Sequence, residues 1–217
     1  MKENTQQFKQ KIIDAMNWRY ATKIFDFNKK INREDWETLE KSMIMSPSSF
    51  GLQPYQFLLV ENTETKKLLT PHSWNQPQIE QCSHLIVFTA LKNIDEEYID
   101  NFIKLTAKTR SIPESSLAEY KKMMIDNLIS SHKDIFDWAA KQSYIALGNL
   151  MTTASLLDID SCPIEGINPE KYDEVLGISN SKYATICACA LGFRSVEDKY
   201  QNLKKVRFEH DFLLKKI

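Results

Sequence analysis

His84-Leu85-Ile86-Val87-Phe88-Thr89-Ala90-Leu91 is the stretch that decides the fold class. Leu85 to Phe88 form an unbroken apolar run. Side chains alternate between the two faces of a strand, so a run apolar at every position must be covered on both faces. The stretch is short for a helix and reads as a buried central strand. An all-helical scaffold does not fit it. Working outward, Tyr55 to Glu61 reads as a strand before it, and Tyr183 to Phe193 as a third strand after it.

Helical patterning fills most of the remainder. Phe8, Ile12 and Met16 recur every four residues and predict a buried face on a first amphipathic helix. Asn32 is a good N-cap for a second, with Ile31 and Trp36 spaced as a hydrophobic staple and Trp36, Leu39 and Met43 as its buried stripe. Residues 45–54 read as an irregular loop from their Pro, Ser and Gly content. A short helix holds Thr65 to Leu69, and two helices separated near Ile112-Pro113 occupy roughly 95–131. The longest helix is expected from Asp134 to Leu157, about 36 Å at 1.5 Å per residue. Its small residues (Ala139, Ala140, Ser143, Ala146, Gly148, Ala154, Ser155) permit close helix–helix approach. Two readings stand for it: a core shared with a second copy of the chain, or the central helix of a monomer. Pro163 to Gly166 is expected to form a tight loop, and Lys199 to Ile217 a tail without a core of its own.

The 28 basic and 29 acidic side chains give a formal net charge of −1, so the balance does not call for nucleic acid or an anionic membrane as partner. The first residues lack the apolar core of a signal peptide, and no run approaches the roughly 20 apolar residues needed to span a bilayer. A cytoplasmic location is expected. Cys82, Cys162, Cys187 and Cys189 show no metal-ligand spacing, and the four histidines, His72, His84, His132 and His210, are scattered, so no metal is expected. Cys187 and Cys189 would share one face of a strand, either as a redox pair or as small buried hydrophobes.

Dinucleotide, Walker, nucleophile-elbow and zincin signatures are absent. Arg19, Lys23, Ser48, Ser49, Lys205 and Arg207 remain at element edges, where each alone reads as surface charge or cap. Their grouping says more. Trp18 to Asp26, Ser46 to Phe57, and Pro163-Ile164-Glu165-Gly166 follow in order, with Asn75 before the central strand, Trp138-Ala139-Ala140-Lys141-Gln142 opening the long helix, and Lys205-Val206-Arg207 near the end. Over essentially its whole length, 1–217, the chain resembles the oxygen-insensitive NAD(P)H nitroreductase and dihydropteridine reductase family.

The resemblance implies a single α+β domain with a mainly antiparallel central sheet flanked by helices, in an intertwined homodimer carrying FMN at the interface. Arg19, Lys205 and Arg207 would hold the FMN phosphate, guanidinium suiting phosphate through its two-pronged fork. Lys23 would favour the reduced, anionic flavin from beside its pyrimidine edge, and Asn75 would hydrogen-bond that edge. Pro47, Ser48, Ser49 and Gln53 would come from the partner chain. Pro163, Ile164, Glu165 and Gly166 would cover one ring face, with Lys23 and Glu165 nearest the chemistry. Tyr20-Ala21 stands where many members carry a hydroxyl that contacts the phosphate, Gly51-Leu52 replaces a common Asn-Ser pair, and Gln78 occupies a position that is lysine in some relatives. The implied reaction is ping-pong reduction of nitroaromatics, quinones or similar acceptors by NADH or NADPH. Met123-Met124, with Leu128, would wall the acceptor pocket, Met124 foremost, or else fill the core. A flavin-binding protein for storage or sensing is the alternative.

Overall fold

The computed structural model describes residues 2–131 and 134–217, with side chains from Thr5 onward, so His132 lies outside the described residues. Along the chain lie α1 (Lys2–Trp18), α2 (Arg33–Ile44), β1 (Tyr55–Val60), α3 (Thr63–Leu69), α4 (Gln78–Gln81), β2 (His84–Leu91) and α5 (Glu96–Arg110). They are followed by α6 (Ala118–Leu128), α7 (Ile135–Leu156), β3 (Asp160–Ile164), α8 (Pro169–Val175), β4 (Tyr183–Gly192) and α9 (His210–Leu213). The fold is α+β, with one antiparallel sheet in the order β1-β2-β4-β3.

Every residue of β2 is buried, as its unbroken apolar run requires. Ile86 and Phe88 join Leu39, Met43, Leu147 and Leu150 on the sheet face covered by α2 and α7. Leu85 and Val87 turn the other way, onto Leu69, Ile79 and Tyr172. A third cluster gathers Ile99, Ile103, Met124, Leu128 and Ile135 from α5, α6 and the start of α7. Cys187 and Cys189 both join the first cluster as free thiols. Burial, and then the Glu165 carboxylate, push Cys187 up to about 12, which leaves the thiol inert at neutral pH.

Asn32 caps α2, its side chain accepting from the Asp35 N–H, and Ile31 and Trp36 pack in the first cluster. The helix pair about Ile112-Pro113 forms as α5 and α6. Two expectations need correction. Pro163 and Ile164 are not loop: they belong to β3, a fourth strand at the sheet edge, where a residue with no N–H to donate is tolerated. The expected buried face of α1 also fails at Phe8, which is 58% exposed, while Ile12 and Met16 are half-buried and Ala15 makes the inward contact.

His84 shows how the start of β2 is closed off. Its ring stacks on Trp36 at 4.5 Å, its Nδ1 lies 2.9 Å from the Ser83 hydroxyl, and the Ile31 N–H donates to that hydroxyl at 2.9 Å. Burial holds His84 below the ordinary 6.5; Glu61 opposes the shift, while Lys66 and Lys30 reinforce it. The unfolded chain therefore binds this proton more readily. The neutral ring's contribution to stability is complete above the ordinary value and is lost as pH falls through the lower folded value. The melting temperature should fall with acidification below about pH 6.5, and the His84→Gln variant should show a shallower fall. Parallel slopes for the two proteins would rule out His84 as a source.

Candidate functional site

The site is assembled where α1 ends. Arg19 continues from the helix, its N–H donating to the Ala15 carbonyl at 3.0 Å. A cleft of about 380 Å³ opens there, lined by Arg19, Tyr20, Ala21, Lys23, Lys205 and Arg207 among others. Lys205 arrives from the tail and donates from Nζ to the carbonyls of Met16 and Arg19, satisfying acceptors that a helix end leaves open. Burial, then the charges of Arg19 and Arg207, hold Lys205 below its ordinary value. Arg19 Nε is buried without a hydrogen-bond partner, and Nη2 reaches only the Met151 sulfur, at 3.9 Å. Among the described residues, none of Arg19, Lys23, Lys205 and Arg207 forms an ion pair.

Gathering unneutralised cations around an orphaned donor is costly unless an anion completes the group. A phosphate supplies the missing acceptors and charge, so these residues fit the phosphate end of FMN. The nearby carboxylates are engaged elsewhere. Asp198 accepts from the Lys23 and Ile24 N–H groups at 2.7 and 3.1 Å and from the Tyr20 hydroxyl at 2.9 Å. Burial alone would raise the Asp198 carboxyl; the donors, led by the Lys23, Tyr200 and Ile24 N–H groups, outweigh it and hold it below its ordinary value. Asp160 pairs with Arg194 at 2.6 Å, and that guanidinium lies over the rings of Trp18 and Tyr20 at 4.1 and 4.6 Å. The Tyr20 side chain therefore works inward, while Ala21 forms a parallel bridge to Ser161 of β3.

β3 leads into a clamped turn. The Tyr144 hydroxyl on α7 donates to the Glu165 carboxylate, and Gln76 Nε2 donates to the Gly166 carbonyl at 3.2 Å. A Cβ on Gly166 would meet the Trp74 ring at 2.7 Å, so only glycine permits this approach. Trp74 and Asn75 both hold positive φ, 53° and 54°, conformations that cost energy outside glycine and are common at ligand sites. Gln78 is buried with Nε2 3.9 Å from the Cys162 sulfur, and the Lys23 charge reaches the same sulfur. Ala21 and Gln78 thus both meet β3 just before that turn, at Ser161 and Cys162.

The 46–54 loop lies elsewhere in the chain. The Ser49 N–H donates to Gln142 at 2.8 Å, and Asn149 donates to the Ser46 hydroxyl at 3.0 Å. At 3.6 residues per turn, Gln142 and Asn149 lie on the face of α7 about 180–200° from Met151, where Arg19 makes contact. Ser48 accepts from the Gln53 N–H at 2.9 Å, Gln53 donates to the Ile44 carbonyl at 2.8 Å, and Pro47 is exposed. One chain therefore does not bring Pro47, Ser48, Ser49 and Gln53 to the cation cleft. Met124 is fully buried in the third cluster, whereas Met123 is 52% exposed.

The sequence reading missed Asp160, Arg194 and Asp198 as anchors, and Trp74 and Tyr144 as clamps. The one sequence signal for them is a tryptophan directly before Asn75.

The sequence profile of the Nitroreductase family matches residues 16–193. The chain belongs to the nitroreductase family. This nitroreductase is 38% identical over 205 residues to a Staphylococcus saprophyticus protein named as an NAD(P)H nitroreductase, covering 89% of this chain and 92% of that one. It is 36% identical over 199 residues to YfkO of Bacillus subtilis, named in the same way, covering 86% and 90%. Membership places it among the oxidoreductases. Its fold matches that of the nitroreductase ydfN from Bacillus subtilis with a TM-score of 0.82 at 18% identity, covering 96% of this chain and 100% of that one. A nitroreductase from Exiguobacterium sibiricum, solved in complex with FMN, matches with a TM-score of 0.76 at 22% identity, covering 95% and 97%.

Proposed function

We propose that this nitroreductase binds FMN and uses NADH or NADPH to reduce small organic acceptors such as nitroaromatics and quinones. The observation that carries this reading is the unneutralised cluster of Arg19, Lys205 and Arg207 around the orphaned Arg19 Nε. Those three side chains bind the phosphate. When bound, FMN supplies the two-electron chemistry between nicotinamide and acceptor that no side chain here can perform.

The chain's own residues orient and polarise. Lys23 would place a fixed positive charge beside the pyrimidine edge, where negative charge accumulates on reduction. Asn75 and Gln78 would hydrogen-bond the same edge. Pro163, Glu165 and Gly166 would cover one ring face and exclude water from it, with the Ile164 side chain anchoring them in the core, and the Tyr144 and Trp74 contacts hold that cover still. Nicotinamide donor and acceptor would share the side of the site left open, and ping-pong kinetics are expected. Pro47, Ser48, Ser49 and Gln53 complete the site from a second copy of the chain, because within one chain they lie across α7 from Arg19. The exposed apolar side chains Phe8, Ile13, Ile44 and Met45 favour such an interface.

The test is a visible absorption spectrum of the purified protein, followed by anaerobic addition of NADH or NADPH. The expected result is a bound-flavin spectrum that bleaches with one nucleotide per flavin. Flavin bound but never bleached would favour storage or sensing, and a colourless protein that takes up no added FMN would overturn the assignment.

A further inference from the structure

We propose that Asp198 is a positioning residue for the cofactor phosphate: it fastens the segment bearing Lys23 to the tail bearing Lys205 and Arg207, and so sets the shape of the cation cleft. The inference rests on the reading of that cleft as a phosphate site. Asp198 is 1% exposed and carries four hydrogen bonds. One oxygen accepts from Lys23 N–H, Ile24 N–H and the Tyr20 hydroxyl, and the other from Tyr200 N–H at 2.9 Å. The donors come from two stretches more than 170 residues apart in sequence.

The surrounding contacts show what the carboxylate joins. The Ser195 N–H donates to the Ile24 carbonyl at 2.9 Å and the Asp26 N–H to the Phe193 carbonyl at 2.8 Å, so the chain leaving β4 runs beside 24–26. After Asp198, a single turn at Lys199–Asn202 redirects the tail over the end of α1. Lys205 then fastens it there through the carbonyls of Met16 and Arg19. Residues 198–205 form a strap pinned at both ends, with the cations at its far end.

Charge explains the choice of residue. A carboxylate in this segment without donors of its own would be free to pair with a cleft cation and compete with phosphate. Four donors occupy this one, so it fixes the geometry while the cations stay available. Asparagine cannot substitute, because its NH2 would face N–H donors on one side.

The experiment measures FMN and riboflavin affinity, by flavin fluorescence, for the wild type, Asp198→Asn and Tyr20→Phe, with melting temperatures of the flavin-free proteins. Riboflavin has the same ring and no phosphate. Wild type should prefer FMN. Asp198→Asn should lose about ten-fold in FMN affinity and a smaller factor in riboflavin affinity, because Lys23 moves with the segment, so the FMN-to-riboflavin ratio falls; Tyr20→Phe should lose about three-fold in FMN affinity, with the ratio falling in the same direction. A generally loosened fold would weaken both flavins alike. A folded Asp198→Asn that keeps the wild-type FMN-to-riboflavin ratio overturns the proposal; if that variant does not fold, an unchanged ratio in Tyr20→Phe does so. A wild type without preference for FMN overturns the phosphate reading itself, and this proposal with it.

Discussion

Arg19→Ala should weaken FMN binding by about 100-fold and leave riboflavin binding nearly unchanged. Each charge-assisted hydrogen bond is worth about 1.5–3 kcal/mol, so losing a two-pronged contact removes about 3 kcal/mol, or two decades of affinity. Arg19 is the member of the cluster with the most to gain, since its Nε is buried and unpartnered while Lys205 already donates to two carbonyls. Arg19→Lys keeps the charge and loses the planar fork, so it should recover part of the affinity. Flavin titrations at rising ionic strength add a second reading. Wild-type affinity should fall with salt, and the alanine variant should fall less steeply, because it has one cation fewer to screen. An Arg19→Ala protein that binds FMN like wild type would move the phosphate site elsewhere.

That prediction depends on residues the sequence made visible, and the reasons are local. β2 could be read because it is buried on both faces and therefore apolar at every position. α2 could be read because Asn32 and the stripe of Leu39 and Met43 lie within one short stretch. β3 could not: Asp160-Ser161-Cys162-Pro163-Ile164 contains a buried acid and a proline, and it is a strand only because β4 supplies its partners. α8 carries a usable signal, Asn168 as N-cap with Pro169 in the first turn. Arg19, Lys205 and Arg207 could be grouped by resemblance, but Asp198, Asp160 and Arg194 could not. Their meaning lies in pairings across 34 to 178 residues, which no local pattern encodes.

Asp160→Ala should be the most destabilising of the substitutions considered, by about 3–5 kcal/mol. The Asp160 side chain is 3% exposed and accepts from the Arg194 N–H and Nε, both at 2.8 Å, and from the Thr22 hydroxyl at 3.3 Å. Its removal strands a guanidinium whose own side chain is only 18% exposed, held between Asp160 and the rings of Trp18 and Tyr20. Arg194→Met should cost a similar amount for the converse reason, since it leaves a buried carboxylate with too few donors. The double variant should cost much less than the sum, because removing both charges together removes the unpaired partner that makes each single change expensive. Urea unfolding of the four proteins measures the coupling directly. Additive losses, or single losses under about 1 kcal/mol, would show that the pair behaves as a surface ion pair. The same pair supports the floor of the cation cleft, because Arg194 carries the Trp18 and Tyr20 rings and Thr22 joins Asp160 between Ala21 and Lys23. Variants that lose the pair should therefore lose FMN affinity as well, and riboflavin affinity should fall in step, because the whole floor moves rather than the phosphate ligands alone.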